Sequence, residues 1–131
     1  MKTRKNDKIL NYRIDKTVLE NIQKSLRIPE TGGILGIDEN GIVTKFYYDS
    51  TGITAKLRYI PDVKKLNTVI ENWATEGVSF IGFVHTHPKG AEKLSELDIE
   101  YAEKIKAQCS LSEILMLLYI PAEEKFLQYV I

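Results

Sequence analysis

The chain has 131 residues, of which 44% are hydrophobic and 27% are charged, and its formal net charge is zero. This length and composition are typical of one globular domain that buries a substantial core. A neutral charge balance gives no general attraction to nucleic acid or to an anionic membrane. No apolar run approaches the roughly 20 residues that a membrane span needs. We therefore expect a single domain over residues 1–131 that binds neither nucleic acid nor membrane.

The N-terminus and the single cysteine bear on the cellular compartment. Residues 1–10 are basic and lack the apolar stretch of a signal peptide, so we expect a flexible tail or a lead-in to a first strand. Cys109 can form no internal disulfide, and both histidines have a better explanation than as its catalytic partner. We expect Cys109 to be structural and buried, and the protein to be cytoplasmic.

The first half of the chain alternates between helical and strand patterns. Apolar residues at helical spacing predict a helix from Asp15 to Leu26. Two strands are predicted over Gly32 to Ile37 and Ile42 to Tyr48, and the Asn40-Gly41 pair between them is a strong hairpin signal. A third strand is predicted from Thr54 to Ile60.

A second helix should begin after Asp62, which can cap it, and end at Gly77. Trp73 lies on the apolar stripe of this helix and is expected in the core. Tyr47 and Tyr48 are adjacent on a strand and point to opposite faces, so at most one should be exposed.

The second half adds the remaining strands and a third helix. Aromatic and β-branched residues predict a buried strand from Val78 to Val84, and Pro88 ends it. A helix follows Ser95, and strands are predicted over Glu113 to Ile120 and Lys125 to Val130. This is an α+β pattern, a mixed sheet flanked by helices.

Both histidines of the chain lie just beyond this buried strand, in the segment Val84-His85-Thr86-His87-Pro88. Residues two apart on a strand point to the same face, so His85 and His87 can bind one ion together. A catalytic zinc needs three protein ligands and an open fourth position. The pair therefore predicts a metal site that lacks one ligand.

Asp98 is the candidate third ligand. It lies in the first turn of the helix that follows Ser95, where the helix dipole favours a carboxylate. The apolar residues of this helix recur at helical spacing: Leu97, Tyr101, Ala102 and Ile105. Two imidazoles and one carboxylate suit zinc, although iron or manganese could occupy the same ligand set.

The histidine pair and the Ser95–Asp98 element each have a simpler interpretation. A histidine pair is common without a metal, and Ser95-x-x-Asp98 also fits a helix capping box with Asp in place of the usual Glu. The capping role and the ligand role are compatible. Joined in the order H-x-H-P-x6-S-x-x-D, the two halves favour a metal site.

These residues resemble the JAMM, or MPN-plus, metalloprotease family. Its motif is an upstream Glu, then H-[S/T]-H-P, then S-x-x-D after a loop of about this length. The upstream element is similar to residues 28–36, which read IPETGGILG and contain Glu30. The resemblance implies the MPN fold, a curved mixed β-sheet flanked by helices and similar to cytidine deaminase.

The resemblance also implies a role for each matching residue. His85, His87 and Asp98 would hold one Zn²⁺. Glu30 would be the general base on the zinc-bound water, and Ser95 would stabilise the oxyanion. Taken without the resemblance, Glu30 is also consistent with an ordinary exposed turn carboxylate.

The implied activity is that of a zinc-dependent isopeptidase or peptidase. It would cleave an amide bond after the C-terminal tail of a ubiquitin-like or sulfur-carrier-like protein, with the tail beside the exposed edge of the strand from Thr54 to Ile60. The chain has little room for the insertions of eukaryotic deubiquitinases, which favours a minimal prokaryotic-type member. A silent MPN-type scaffold and a RadC-like DNA-repair protein are the alternatives. The sequence leaves the substrate's identity and the oligomeric state open.

Overall fold

Strands and helices alternate along the chain in the computed structural model, which describes residues 12–27, 31–50, 53–55, 58–61 and 63–131. The helices are α1 (Lys16–Ser25), α2 (Val63–Ala74) and α3 (Glu96–Gln108). The strands are β1 (Arg13–Ile14), β2 (Gly32–Ile37), β3 (Ile42–Tyr48), β4 (Ile53–Ala55), β5 (Arg58–Ile60), β6 (Ser79–Thr86), β7 (Leu115–Ile120) and β8 (Lys125–Val130).

Six of these strands form one mixed sheet in the order β1-β3-β2-β6-β7-β8. β1 pairs with β3 in parallel, and β6 pairs with β7 in parallel, while the other neighbours are antiparallel. A parallel pair needs a crossover connection, and α3 supplies the one between β6 and β7. β4 and β5 pair with each other in a separate two-stranded sheet.

Helices cover both faces of the large sheet, because its central strands are apolar on both sides. Alternate residues divide between two cores: Leu35, Val84 and Leu117 pack with α1, whereas Ile34, Phe83 and Met116 pack with α2 and α3. The side on which a β6 residue lies therefore decides which helix its side chain can meet.

A β-bulge in β6 determines on which face of the sheet the side chains of the later β6 residues lie. Gly82 pairs with Leu35 and Phe80 pairs with Gly36, so Ile81 has no partner on β2. Ile81 belongs to the core with α1, while Phe80 and Phe83 on either side of the bulge both belong to the core with α2 and α3. A one-residue shift exchanges the two faces of a strand. The extra residue thus places the odd-numbered positions after Phe83 on the α3 side.

Tyr12, the residue before β1, contacts β8, the strand at the opposite edge of the sheet. The backbone N–H of Tyr12 donates to Gln128 Oε1 at 2.7 Å, and Gln128 Nε2 donates to the Tyr12 carbonyl at 3.0 Å. Because Gln128 lies on β8, the two edges of the sheet approach each other and the sheet is curled. The Tyr12 hydroxyl also donates to the carboxylate of Glu113, just before β7.

This contact predicts a loss of stability in alkali. Burial, and then the hydrogen bond and negative charge of Glu113, raise the pKa of the Tyr12 hydroxyl above its ordinary value of 10.0. The unfolded chain therefore loses this proton first, and the contact's contribution to stability falls as the pH rises above about 10. We expect the urea midpoint to fall more between pH 8 and pH 11 in the wild type than in Tyr12→Phe. Equal losses in both would contradict this.

Most of the predicted elements are confirmed within one or two residues at each end. Trp73 is buried, and of the tyrosine pair only Tyr48 is exposed. The prediction of one strand from Thr54 to Ile60 is wrong, because two short antiparallel strands, Ile53–Ala55 and Arg58–Ile60, lie in this region instead. The proposed cap Asp62 lies outside the described residues.

The prediction that Cys109 is buried is wrong, and one apolar residue of the helical pattern of α3, Leu97, is also exposed. Cys109 is exposed because the helix ends just before it, at Gln108, and it borders an open cavity between α2 and α3. Leu97 is 51% exposed, since the first turn of α3 presents Asp98 to the sheet instead. Among the described residues, none of the helices has the length and apolar character to cross a bilayer.

Candidate metal centre

The two histidines lie at the carboxyl end of β6, a central strand of the sheet. His85 is paired with Gly32 of β2 and with Leu118 of β7, and the His87 backbone N–H donates to the Tyr119 carbonyl at 3.1 Å. β6 ends at Thr86, as the proline after His87 predicts. Neighbouring strands thus hold the backbone of both histidines. Both residues are only about 5% exposed, so little solvent reaches their imidazoles.

Asp98 reaches the same place from the first turn of α3. Ser95 is the N-cap: its Oγ accepts from the Asp98 backbone N–H, and its own N–H donates to Asp98 Oδ2, both at 3.0 Å. This reciprocal pair is a capping box with Asp at its third position. The cap fixes the carboxylate on the side of the helix that faces β6, so the predicted capping role is confirmed and is compatible with ligation.

Three potential ligand atoms converge in this cluster. His85 Nε2 lies 3.1 Å from His87 Nε2, and Asp98 Oδ2 lies 3.4 Å from the first and 3.6 Å from the second. Zinc bonds of 2.0–2.1 Å to N and O place adjacent tetrahedral ligands roughly 3.3–3.4 Å apart. The three atoms therefore fit three corners of a zinc tetrahedron. Among the described residues, this is the one group of three or more His, Cys, Asp or Glu side chains that could hold a metal ion.

The hydrogen bonding of His87 prepares its Nε2 for a cation. Its Nδ1 lies 2.8 Å from the carbonyl oxygen of Ala91. A carbonyl can only accept, so Nδ1 carries the proton and the lone pair of the neutral ring is on Nε2. Metal-binding histidines are commonly oriented by such a bond to the other ring nitrogen. The tautomer that this hydrogen bond implies for His87 is thus the one that ligation needs.

Asp98 supplies negative charge to a buried position. Burial by itself raises the pKa of this carboxyl, but its interactions with the neighbouring imidazoles of His85 and His87, together with the backbone N–H of Ser95, outweigh burial and hold the pKa well below its usual range. The carboxylate is therefore ionised at neutral pH. A buried anion between two imidazoles is an environment that favours a divalent cation.

Thr86 lies between the two histidines and points to the opposite face of β6. It is fully buried; its Oγ1 accepts from the Thr31 N–H and donates to the Arg27 carbonyl, both at 3.0 Å, while its own N–H donates to the Thr31 carbonyl at 3.0 Å. Thr86 thus joins Arg27 and Thr31 by hydrogen bonds to the strand that carries the histidines.

Glu30, the predicted general base, lies outside the described residues. The residue that follows it, Thr31, is hydrogen-bonded to Thr86, and Gly32 is paired with His85. The chain on the carboxyl side of Glu30 is therefore next to the candidate metal ligands. Ser95, the predicted oxyanion donor, directly contacts Asp98 through the cap and is exposed.

Two contributors to this centre were not predicted from the sequence. The alternation of side chains placed Thr86 on the other face of β6 but gave no indication of its partners, which lie 55 and 59 positions away. The Ala91 carbonyl is a backbone group, and no side-chain motif reveals it. A threonine between two strand histidines and a turn directly after them are the signals that were available.

The fold has counterparts among solved structures. The solution structure of protein DSY2949 from Desulfitobacterium hafniense is 20% identical with a TM-score of 0.67, and the match covers 90% of this chain and 81% of that one. The crystal structure of AF2198, a Jab1/MPN domain protein from Archaeoglobus fulgidus, is 16% identical with a TM-score of 0.54 and coverage of 89% and 87%. No family model and no curated protein matches the chain.

At these identities the likenesses show the fold alone. The chain has an α+β fold in which a curled, mixed six-stranded sheet is flanked by three helices, and this fold has an MPN-domain neighbour. The predicted fold class is confirmed.

Proposed function

We propose that this protein is a zinc-dependent hydrolase of the JAMM type, which cleaves an amide bond after the C-terminal tail of a ubiquitin-like or sulfur-carrier-like protein. The observation that carries the proposal is the convergence of His85 Nε2, His87 Nε2 and Asp98 Oδ2 in a buried cluster with the spacing of tetrahedral zinc ligands. The MPN-like fold supports it, since the sequence motif of the JAMM family occurs on that fold.

The roles of the chain's own residues follow from this assignment. His85, His87 and Asp98 would hold the ion, whose Lewis acidity supplies hydroxide at neutral pH. In the proposed mechanism the Glu30 carboxylate takes a proton from the attacking water and delivers it to the leaving amine. Ser95 Oγ accepts in the cap, so its own hydroxyl proton remains available for the developing oxyanion.

An apolar cavity on the same side of the sheet as the centre would suit the side chain of a substrate tail. It has a volume of about 250 Å³ and lies between α2 and α3. Phe83, one strand step before His85, and Tyr101, one helical turn after Asp98, both line it. Val63 at its rim is 50% exposed. An extended tail could pair with the β4–β5 hairpin, which precedes α2, and direct its last carbonyl to the centre.

The experiment that tests the proposal measures metal first and cleavage second. We expect elemental analysis of the purified protein to find about one zinc per chain. The zinc-loaded protein should then release the tail of at least one ubiquitin-like or sulfur-carrier-like fusion, with the cut mapped by mass spectrometry. Zinc without cleavage of any such fusion would overturn the substrate class. No metal, even after zinc is offered, would overturn the hydrolase and favour a silent scaffold.

A further inference from the structure

The loop between β6 and α3 connects the candidate metal centre to the edge strand β8. It begins with a turn in which the Ala91 N–H donates to the Pro88 carbonyl at 3.0 Å. Gly90, at the third position of this turn, has φ +91°, a conformation that suits glycine. The turn presents the Ala91 carbonyl to His87 Nδ1. The position of Ala91 therefore governs the orientation of the His87 ring.

The residue after Ala91 is held by two side chains of β8. The Tyr129 hydroxyl donates to the backbone carbonyl of Glu92, and Lys125 Nζ lies 3.1 Å from the Glu92 carboxylate. Both partners of the ion pair are more than 40% exposed, so this pair is screened and contributes little. The bond from Tyr129 is the stronger attachment, because the hydroxyl is part-buried and binds the backbone itself.

We propose that Tyr129 is a positioning residue for the metal centre: by holding the Glu92 carbonyl, it fixes the adjacent Ala91 carbonyl that orients His87. This inference rests on the proposed function for its role in catalysis, but the linkage between Tyr129 and the His87 ring does not. Partners of this outer kind typically change metal affinity about 10–100-fold when they are removed. Tyr129 bonds the carbonyl of Glu92 and not the Ala91 carbonyl that contacts His87, so we expect a change in metal affinity at the lower end of that range.

The test compares two variants that each lose one tyrosine hydroxyl. Tyr129→Phe removes the bond to the loop, while Tyr12→Phe removes the bond to Glu113 at the far end of the sheet. Zinc affinity is measured by competition with a chromophoric chelator, and the His87 tautomer of the metal-free protein is measured by ¹H–¹⁵N NMR of the ring at pH 8. Thermal unfolding of both variants reports any general loss of stability.

We expect Tyr129→Phe to weaken zinc binding about tenfold and to weaken or broaden the His87 Nδ1–H signal. We expect Tyr12→Phe to change neither, even if both variants lose similar stability. An unchanged His87 ring and unchanged affinity in Tyr129→Phe would overturn the inference, as would an equal loss of affinity in Tyr12→Phe.

The two proposals fail differently. If the wild type binds no zinc, the proposed function is overturned, and the NMR signal of His87 in the metal-free variants still decides the linkage. If the wild type binds zinc and Tyr129→Phe has the same zinc affinity and the same His87 signal, only the positioning role is overturned. A Lys125→Met variant separates the exposed ion pair from the hydroxyl, and a larger effect there than in Tyr129→Phe would also overturn the assignment to Tyr129.

Discussion

Replacing Asp98 by alanine is expected to abolish zinc retention in a protein that still folds. The change leaves two imidazoles, and a zinc site needs at least three protein ligands for stable binding. Loss of an outer partner already costs about 10–100-fold in affinity, so loss of the ligand itself should exceed about a hundredfold. Elemental analysis after dialysis against a weak chelator, compared with the wild type, measures the effect.

The control must separate ligation from helix capping, because Asp98 does both. Ser95→Ala removes the Oγ that accepts from the Asp98 N–H but leaves the carboxylate in place. Glu96→Ala removes a different carboxylate from the same first turn. Both variants should retain zinc, even though each weakens the start of α3. If Asp98→Ala kept a full equivalent of zinc, Asp98 would not be a ligand.

Replacing Glu30 by glutamine is expected to leave zinc bound and to remove turnover. Glutamine has nearly the shape of glutamate but cannot take up a proton at neutral pH, and general base catalysis typically contributes about 10²–10⁴-fold to a rate. The measurement is kcat for cleavage of whichever fusion the wild type cuts, together with zinc content. Unchanged kcat would show that another group is the base.

The matched control for Glu30 is a turn carboxylate elsewhere. Glu39 is exposed in the turn after β2, at the opposite end of that strand from Gly32, the partner of His85, and Glu39→Gln should keep full activity. A comparable loss in both variants would point to a general effect of charge. This comparison also tests the simpler interpretation of Glu30 as an ordinary turn residue.

Much of the candidate centre could be predicted because its determinants are local. The period of two along a strand was enough to put His85 and His87 on one face, and the first-turn position of Asp98 was enough to aim it. The hairpin was predicted by Asn40-Gly41, and Gly41 has φ +80° as such a turn requires.

The features that could not be predicted depend on distant parts of the chain. The bulge at Ile81 has a single local sign, the glycine at position 82, which does not give the position of the extra residue, yet the bulge decides which helix the histidines meet. Leu97 fits the helical pattern but is exposed, because the apolar face of α3 is set by what the sheet presents to it. Cys109 was predicted to be buried because it has neither a disulfide partner nor a free histidine to activate it, and that argument says nothing about an open cavity between two helices.

The crossover between β6 and β7 has a consequence for folding. His85 and Asp98 are thirteen positions apart, whereas the strand pairs of the large sheet outside the β2–β3 and β7–β8 hairpins join residues much further apart in the chain, such as Gly32 and His85. Closing a short loop costs little chain entropy, so the ligands can meet before the sheet is complete. A metal held there would tie the end of β6 to the start of α3. Detachment of α3 would then require release of the ion, and we expect metal to protect the amides of this crossover from hydrogen exchange more than those of β1 or β3.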